Sequence, residues 1–298
     1  MRVQVLVALL APVLACAQSL DPRAYANAPV GLNFLIVGYS YSTGGVGFDP
    51  SVPLENGHAR VNAVPLAYVR SLDVFGNAGS IGLVLPFAKL AGSATFNGVE
   101  QEREMTGMAD PAMRFAVNFY GAPAMDLEHF KAYRQDLIVG TSLLVTAPLG
   151  RYDSNRVANL GTNRWTAKPE LGLSKALDLW TFELSTGVTF FTRNDDYIQG
   201  NVREQDRLYS AQLHVTRQFG RGMWGAISTT YYEGGRTSLN GVPRDDHQSG
   251  SRLGLTFSLP LSRHYTVKLY ANTGLYARTG TDFDTYGVAW QYLWGGGL

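Results

Sequence analysis

After its first seventeen residues this chain never gathers an apolar run long enough to cross a membrane as a helix. About a dozen short segments instead alternate between apolar and polar residues. A period of two is the period of a β-strand, because successive side chains leave opposite faces of the pleat. In 180–191, Trp180, Phe182, Leu184, Val188 and Phe190 fall on one face, and Thr181, Glu183, Ser185 and Thr189 on the other. In 252–261, Leu253, Leu255, Phe257, Leu259 and Leu261 alternate with Arg252, Gly254, Thr256, Ser258 and Pro260. The same pattern holds for Tyr265, Val267, Leu269 and Ala271, and again for Tyr286, Val288, Trp290, Tyr292 and Trp294.

Softer alternation over 33–43, 59–71, 79–95, 104–119, 135–149, 164–177, 206–219 and 223–235 brings the expected count to twelve strands. The connections alternate as well. Links at 44–58, 96–103, 150–163, 194–205 and 236–249 are long and polar, and only 278–282 is short. The intervening links, such as 72–78, 178–179, 220–222 and 262–264, are tight, apart from 120–134, where Met125 to Tyr133 has room for a turn or two of helix. An even strand number, long loops at one end and tight turns at the other are the pattern of a transmembrane antiparallel up-and-down β-barrel of the bacterial outer membrane. A soluble β-sandwich would bury the apolar faces inside. It would then have to pair Lys168, Glu170, Glu183 and Lys268, which lie mid-strand.

The N-terminus reads as a secretory signal peptide over 1–17. Arg2 supplies the positive end, Val3 to Leu14 the apolar run, and Ala15-Cys16-Ala17 the cleavage site. The alternative is a lipoprotein acylated on Cys16, although Leu14 sits where a small residue is usual. Cys16 is the only cysteine, so cleavage after Ala17 leaves a chain without thiols, disulfides or thiolate metal sites. Residues 18–32 then precede a barrel spanning 33–298. They form either a periplasmic tail, which their shortness favours, or a plug folded into the lumen. Formal charges number 25 basic and 24 acidic, and removing Arg2 leaves none in excess. Nucleic-acid binding would need a basic surplus.

Six prolines, at 65, 86, 111, 148, 169 and 260, fall within or beside the expected strands. Proline lacks the ladder donor, and a closed barrel offers no edge to hide it. Pro86 and Pro169 are the most central, and they predict a bulge, a kink or a lateral opening of the wall.

One stretch carries a family resemblance. Ala147-Pro148-Leu149-Gly150-Arg151-Tyr152-Asp153, then Asn159-Leu160-Gly161-Thr162-Asn163-Arg164-Trp165 and Lys168-Pro169-Glu170-Leu171-Gly172 resemble the bacterial family described as "Putative MetA-pathway of phenol degradation". Tyr231-Tyr232 with Gly234-Gly235, and Gly287 to Tyr292, resemble it too. The likeness covers about 30–298. It implies an outer-membrane barrel for passive uptake of small hydrophobic compounds, aromatic ones among them. This chain ends in Trp294-Gly-Gly-Gly-Leu rather than in the terminal Phe or Trp usual for such barrels.

The inward faces are expected to carry Arg114, Asn118, Lys168, Glu170, Glu183, Gln212, His214, Arg252, Lys268 and Asn272. These side chains either guide a solute or pair into a network that fills a narrow bore. The loop runs Arg193 to Asp196 and Arg244 to His247 read as solvated charge, without the ligand spacing of a calcium loop. Catalysis has little support. His214 beside Ser185 or Ser210 is the one arrangement to consider, and no G-x-S-x-G signature is present. The expected partners are outer-membrane lipid and lipopolysaccharide, the barrel-assembly machinery and a small hydrophobic solute, with a monomer as the working unit and no cofactor. The competing reading is a non-transporting structural or adhesive barrel, and a third is an outer-membrane lipid hydrolase.

Overall fold

The structure, a computed structural model, describes residues 21–47, 54–96, 98–156 and 158–298. The expected signal peptide over 1–17, with Cys16, and residues 18–20 lie outside the described residues.

The strands are β1 (Leu32–Gly47), β2 (Leu54–Val74), β3 (Asn77–Phe96), β4 (Val99–Met108), β5 (Ala112–Tyr120), β6 (Leu137–Thr146), β7 (Thr166–Leu177) and β8 (Trp180–Phe191). There follow β9 (Asn194–Tyr197), β10 (Asn201–Gln205), β11 (Leu208–Gly220), β12 (Met223–Gly234), β13 (Thr237–Leu239), β14 (Val242–Pro243), β15 (Gln248–Pro260), β16 (Tyr265–Ala277) and β17 (Gly280–Gly295). One short helix, α1 (Leu127–Ala132), lies in the 121–136 connection. No helix among the described residues is long and apolar enough to cross a membrane.

The main sheet closes on itself as a twelve-strand antiparallel barrel. The first and last strands seal it, from Leu32↔Gly295 to Gly47↔Gly280. β4 and β5 are two parts of one wall strand, both paired with β3. The other four strands, β9, β10, β13 and β14, form a small separate sheet in the long connections, which the alternation did not foretell.

The barrel turns a soluble fold inside out. Leu83, Phe115, Leu171, Phe182, Leu213 and Leu255 are exposed on the outer wall. On the same or neighbouring strands Ser174, Glu183, His214, Thr216, Ser228 and Thr230 are buried inside. Apolar side chains outward and polar ones inward is the arrangement that lipid, not water, makes favourable. Near the end where β1 begins and β17 ends, Trp290, Tyr292 and Trp294 stack in sequence on β17, with centroids 6.2 and 5.3 Å apart, and Tyr265 of β16 stacks on Trp290. This is an aromatic belt of the kind found at a membrane–water boundary.

Pro86 and Pro169 sit where the ladders lapse. Pro86 lies opposite the break in the fourth wall strand. Pairing runs to Val84↔Ala112 on one side and resumes at Phe87↔Met108, so Ala109, Asp110 and Pro111 face only Leu85 and Pro86. This is a bulge. Pro169 interrupts the next weak seam. β7 and β8 pair at Ala167↔Phe190 and again at Glu170↔Gly187, skipping Lys168 and Pro169 without a change of register.

Candidate functional site

Residues 21–30 lie inside the barrel, not trailing away from it. Ten or so extended residues span about 33 Å, so shortness does not keep the segment out of the lumen. Its anchor is Tyr25, which is 2% exposed. The phenol donates to Glu170 Oε1 at 2.8 Å and lies 3.3 Å from Ser142 Oγ. Asn118 Nδ2 donates to the Tyr25 carbonyl at 3.1 Å, and the Arg114 guanidinium sits 5.3 Å from the Tyr25 ring centroid. The seat for this ring is a cross-strand pair of glycines, Gly140↔Gly172. A Cβ on Gly172 would come within 2.1 Å of Tyr25 Cε2, and one on Gly140 within 2.6 Å of Cδ1. Farther along, Val30 N–H donates to the Met125 carbonyl at 2.8 Å and Ser71 Oγ to the Pro29 carbonyl at 2.5 Å, tying the segment to the rim.

The inward charges around this plug are arranged as follows. Glu170 binds Lys168 Nζ at 3.0 Å and faces Arg114 Nη2 at 3.9 Å. Glu183 accepts from the Arg23 backbone N–H at 2.5 Å and from Ser174 Oγ at 3.1 Å. His214 Nδ1 lies 2.8 Å from Ser228 Oγ, its hydrogen-bond partner in place of Ser185 or Ser210. Ser228 is 1% exposed, so this pair presents no accessible nucleophile. Arg252 is farther along the bore, donating to Asn272 Oδ1 at 3.1 Å and the Phe283 carbonyl at 2.9 Å. Lys268 approaches the Trp224 ring at 5.6 Å. Glu183, Arg252 and Lys268 therefore do not pair with one another. Arg114, Asn118, Lys168, Glu170, Glu183, Gln212, His214 and Lys268 share one cavity of about 730 Å³, and Arg252 and Asn272 lie beyond it.

The opposite wall of the lumen is apolar. Phe34 and Ile36 of β1, Ala67 and Val69 of β2, and Val84 of β3 line the same cavity. Toward the long-loop end the inward residues remain apolar through Ala63, Val61, Ala88 and Leu90. Beside the cavity β1 to β3 are thus apolar on both faces, with Val37, Leu66 and Leu83 outward, and an apolar stripe runs along the inner wall of β2 and β3.

At the long-loop end the lumen is filled by 147–163. Ala158 and Leu160 pack in a buried cluster with Val61, Leu90, Met105 and Phe283. The neck of this loop is held by Asp110, which accepts from Gly150 N–H at 2.9 Å and from both the N–H and the hydroxyl of Thr162 at 2.7 Å. β4 has no second strand partner among the described residues. Arg151 runs beside that edge instead, its N–H donating to the Met108 carbonyl at 2.8 Å and Nη1 to the Thr106 carbonyl at 2.5 Å. Alternation gives no sign of Asp110, and Leu160 enters only through the stretch that carries the family resemblance. Gly150 and Gly161, both in the stretch that carries the family resemblance, are placed by close approach: a Cβ on Gly161 would come within 2.7 Å of the Gly150 carbonyl oxygen.

A second hollow, of about 860 Å³, lies on the outer wall at Pro169, bordered by Leu171, Val188, Tyr209, Ala211 and Tyr231. Glu170 borders both this groove and the lumen cavity.

A closed twelve-strand barrel with lipid-type outer faces has the fold of a transmembrane β-barrel of the outer-membrane type. The chain belongs to the family described as "Putative MetA-pathway of phenol degradation", whose model matches residues 42–291. Among solved structures it is similar to an outer membrane channel from Pseudomonas putida F1, with 20% identity, 93% of this chain and 100% of that chain covered, and a TM-score of 0.78. It is also similar to the β domain of a Bordetella autotransporter, at 10% identity, 89% and 100% coverage and a TM-score of 0.53. These likenesses concern the fold. No curated protein matches the chain.

Proposed function

We propose that this protein is a monomeric channel of the bacterial outer membrane that passes small hydrophobic molecules, aromatic ones included, down their concentration gradient without covalent chemistry. The apolar inner stripe of β1 to β3 carries this reading. A bore for hydrophilic solutes is lined by polar and charged groups that replace water around them. Here Phe34, Ile36, Ala67, Val69 and Val84 offer a solute a wall with no hydrogen-bond partners. A hydrocarbon or phenyl group gains about 25 cal/mol per Å² on leaving water for such a surface. The groove at Pro169 supplies a side route, because lipid-soluble molecules need not leave through water.

The family name and the channel of similar fold agree with this direction without naming a solute. The test is uptake by proteoliposomes whose outer leaflet contains lipopolysaccharide, since pure phospholipid leaks apolar molecules. The folded protein should speed entry of toluene well above its effect on a sugar of similar size. Val84→Asp should abolish that advantage. Equal rates with and without protein would refute a transport role. That result would support a structural barrel, a reading favoured by the two segments that fill the lumen.

A further inference from the structure

The polar and apolar halves of the lumen cavity meet at β16 and β17. Ile36 stands opposite Gln291, and Gln291 opposite Thr266. Lys268 is the next inward residue of β16. On its other flank Lys268 stands opposite Ser258, and Ser258 opposite Trp224. An ammonium group is therefore placed between an apolar wall and an indole ring. Lys268 Nζ lies 5.6 Å from the Trp224 centroid, and the Arg23 guanidinium of the plug 5.5 Å from the same ring.

The charges lining the cavity are Arg23, Arg114, Lys168 and Lys268 against Asp21, Glu170 and Glu183. Glu170 serves both Lys168 and Arg114, and Glu183 is taken by the Arg23 backbone and Ser174. Lys268 makes no ion pair among the described residues. A half-buried cation lining the cavity without an ion-pair partner favours an incoming anion, and a carboxylate there forms a charge-assisted hydrogen bond. The cavity, at about 730 Å³, has the size of a small-molecule site.

We infer that this cavity binds a monoanionic amphiphile, its carboxylate at Lys268 and its aromatic or alkyl body along Phe34, Ile36, Ala67 and Val69. This rests on the apolar-solute reading above and adds the head group to it. A neutral hydrocarbon leaves the ammonium without a counter-ion. A cationic head meets Lys268 and Arg23 and is repelled.

The test compares para-pentylbenzoate with its neutral isostere para-pentylbenzamide, by calorimetry on the intact protein in lipid nanodiscs with empty discs subtracted. The benzoate should bind at least about tenfold more tightly, as a hydrogen bond to a charged group implies. Lys268→Met should erase that preference by weakening benzoate binding more than benzamide binding, and Lys268→Arg should retain it. Equal affinities in the unmodified protein, or a Lys268→Met loss shared equally by both probes, would overturn the anion site alone. If neither probe binds, the hydrophobic-solute reading fails with it. Should Lys268→Met not fold, the comparison in the unmodified protein still decides.

Discussion

Asp110 Oδ2 accepts both the backbone N–H and the side-chain hydroxyl of Thr162 at 2.7 Å, across a break in the barrel wall. Its other oxygen takes Gly150 N–H at 2.9 Å. One carboxylate thus closes the neck of the loop that fills the outer lumen. Hydrogen bonds to a charged group are each worth about 1.5–3 kcal/mol, and a buried donor left unpaired costs a similar amount. Asp110→Ala should therefore ease local opening of 147–163 by about 3 kcal/mol, roughly a hundredfold in its equilibrium, without unfolding the barrel. Hydrogen exchange at the Thr162 amide reads this directly, and protease cleavage between 150 and 163 should appear with it. Unchanged protection at Thr162 would show that the apolar packing of Leu160 alone holds the loop.

The plug makes a second, sharper prediction. Tyr25 fits only because β6 and β7 present glycine at 140 and 172. Gly172→Ala places a methyl within 2.1 Å of the ring, so ring and methyl cannot share the site. The plug should leave its seat, and single-channel conductance should rise. Tyr25→Ala should raise it to the same degree, and the double variant should go no further, since both changes remove one interaction. Additive effects would mean that the two residues act separately. Tyr25→Phe keeps the ring in place and loses the charge-assisted bond to Glu170, so it should weaken plug retention by about 1.5–3 kcal/mol without emptying the seat.

Much of this architecture was legible because a period of two survives any detail of packing. The twelve wall strands and the inward placement of Arg114, Lys168, Glu170, Glu183, His214 and Lys268 follow from alternation. What alternation cannot convey is what fills the bore. Tyr25 belongs to a segment with no period at all, and its partners Gly140 and Gly172 lie 115 and 147 positions away by residue number. Asp110 looked like part of a continuous strand over 104–119, yet the Asp-Pro step breaks that strand at 109–111. The apolar inner stripe was hidden for a related reason. Beside the cavity both faces of β1 to β3 are apolar, so parity says where residues point but not that the lumen differs from one side to the other.

Pro169 offers a test of the wall. Its missing N–H falls in the seam with β8, where pairing skips Lys168 and Pro169. Pro169→Val supplies the donor and a residue suited to strands, so the seam should close and gain about 1 kcal/mol from the added bond. Slower hydrogen exchange at Val188 and Thr189 would register the closure. If the groove is a side exit for solute, apolar uptake should fall while ionic conductance through the bore stays the same. Closure with undiminished uptake would assign the exit to the bore.

The rim turn carries a pH-sensitive pair outside the barrel wall. Asp126 caps α1, accepting from the His129 backbone N–H at 2.9 Å, and its Oδ1 lies 2.7 Å from His129 Nδ1. These bonds hold the Asp126 carboxyl below its ordinary value of 3.8, the backbone bond contributing most, and raise the His129 imidazole above 6.5 through the side-chain bond to Asp126. The signs differ. The Asp126 contribution is present above 3.8 and disappears as pH falls through its lowered pKa; the His129 contribution is complete below 6.5 and fades as pH rises through its raised pKa. The cap is therefore strongest between those two reference values. Titration of His129 by NMR should give a midpoint above that of a free imidazole, and Asp126→Asn should return it to the ordinary value. Both groups are fully exposed, so salt should shrink the shift. A midpoint unmoved by Asp126→Asn would mean that another group, such as Glu128, sets it.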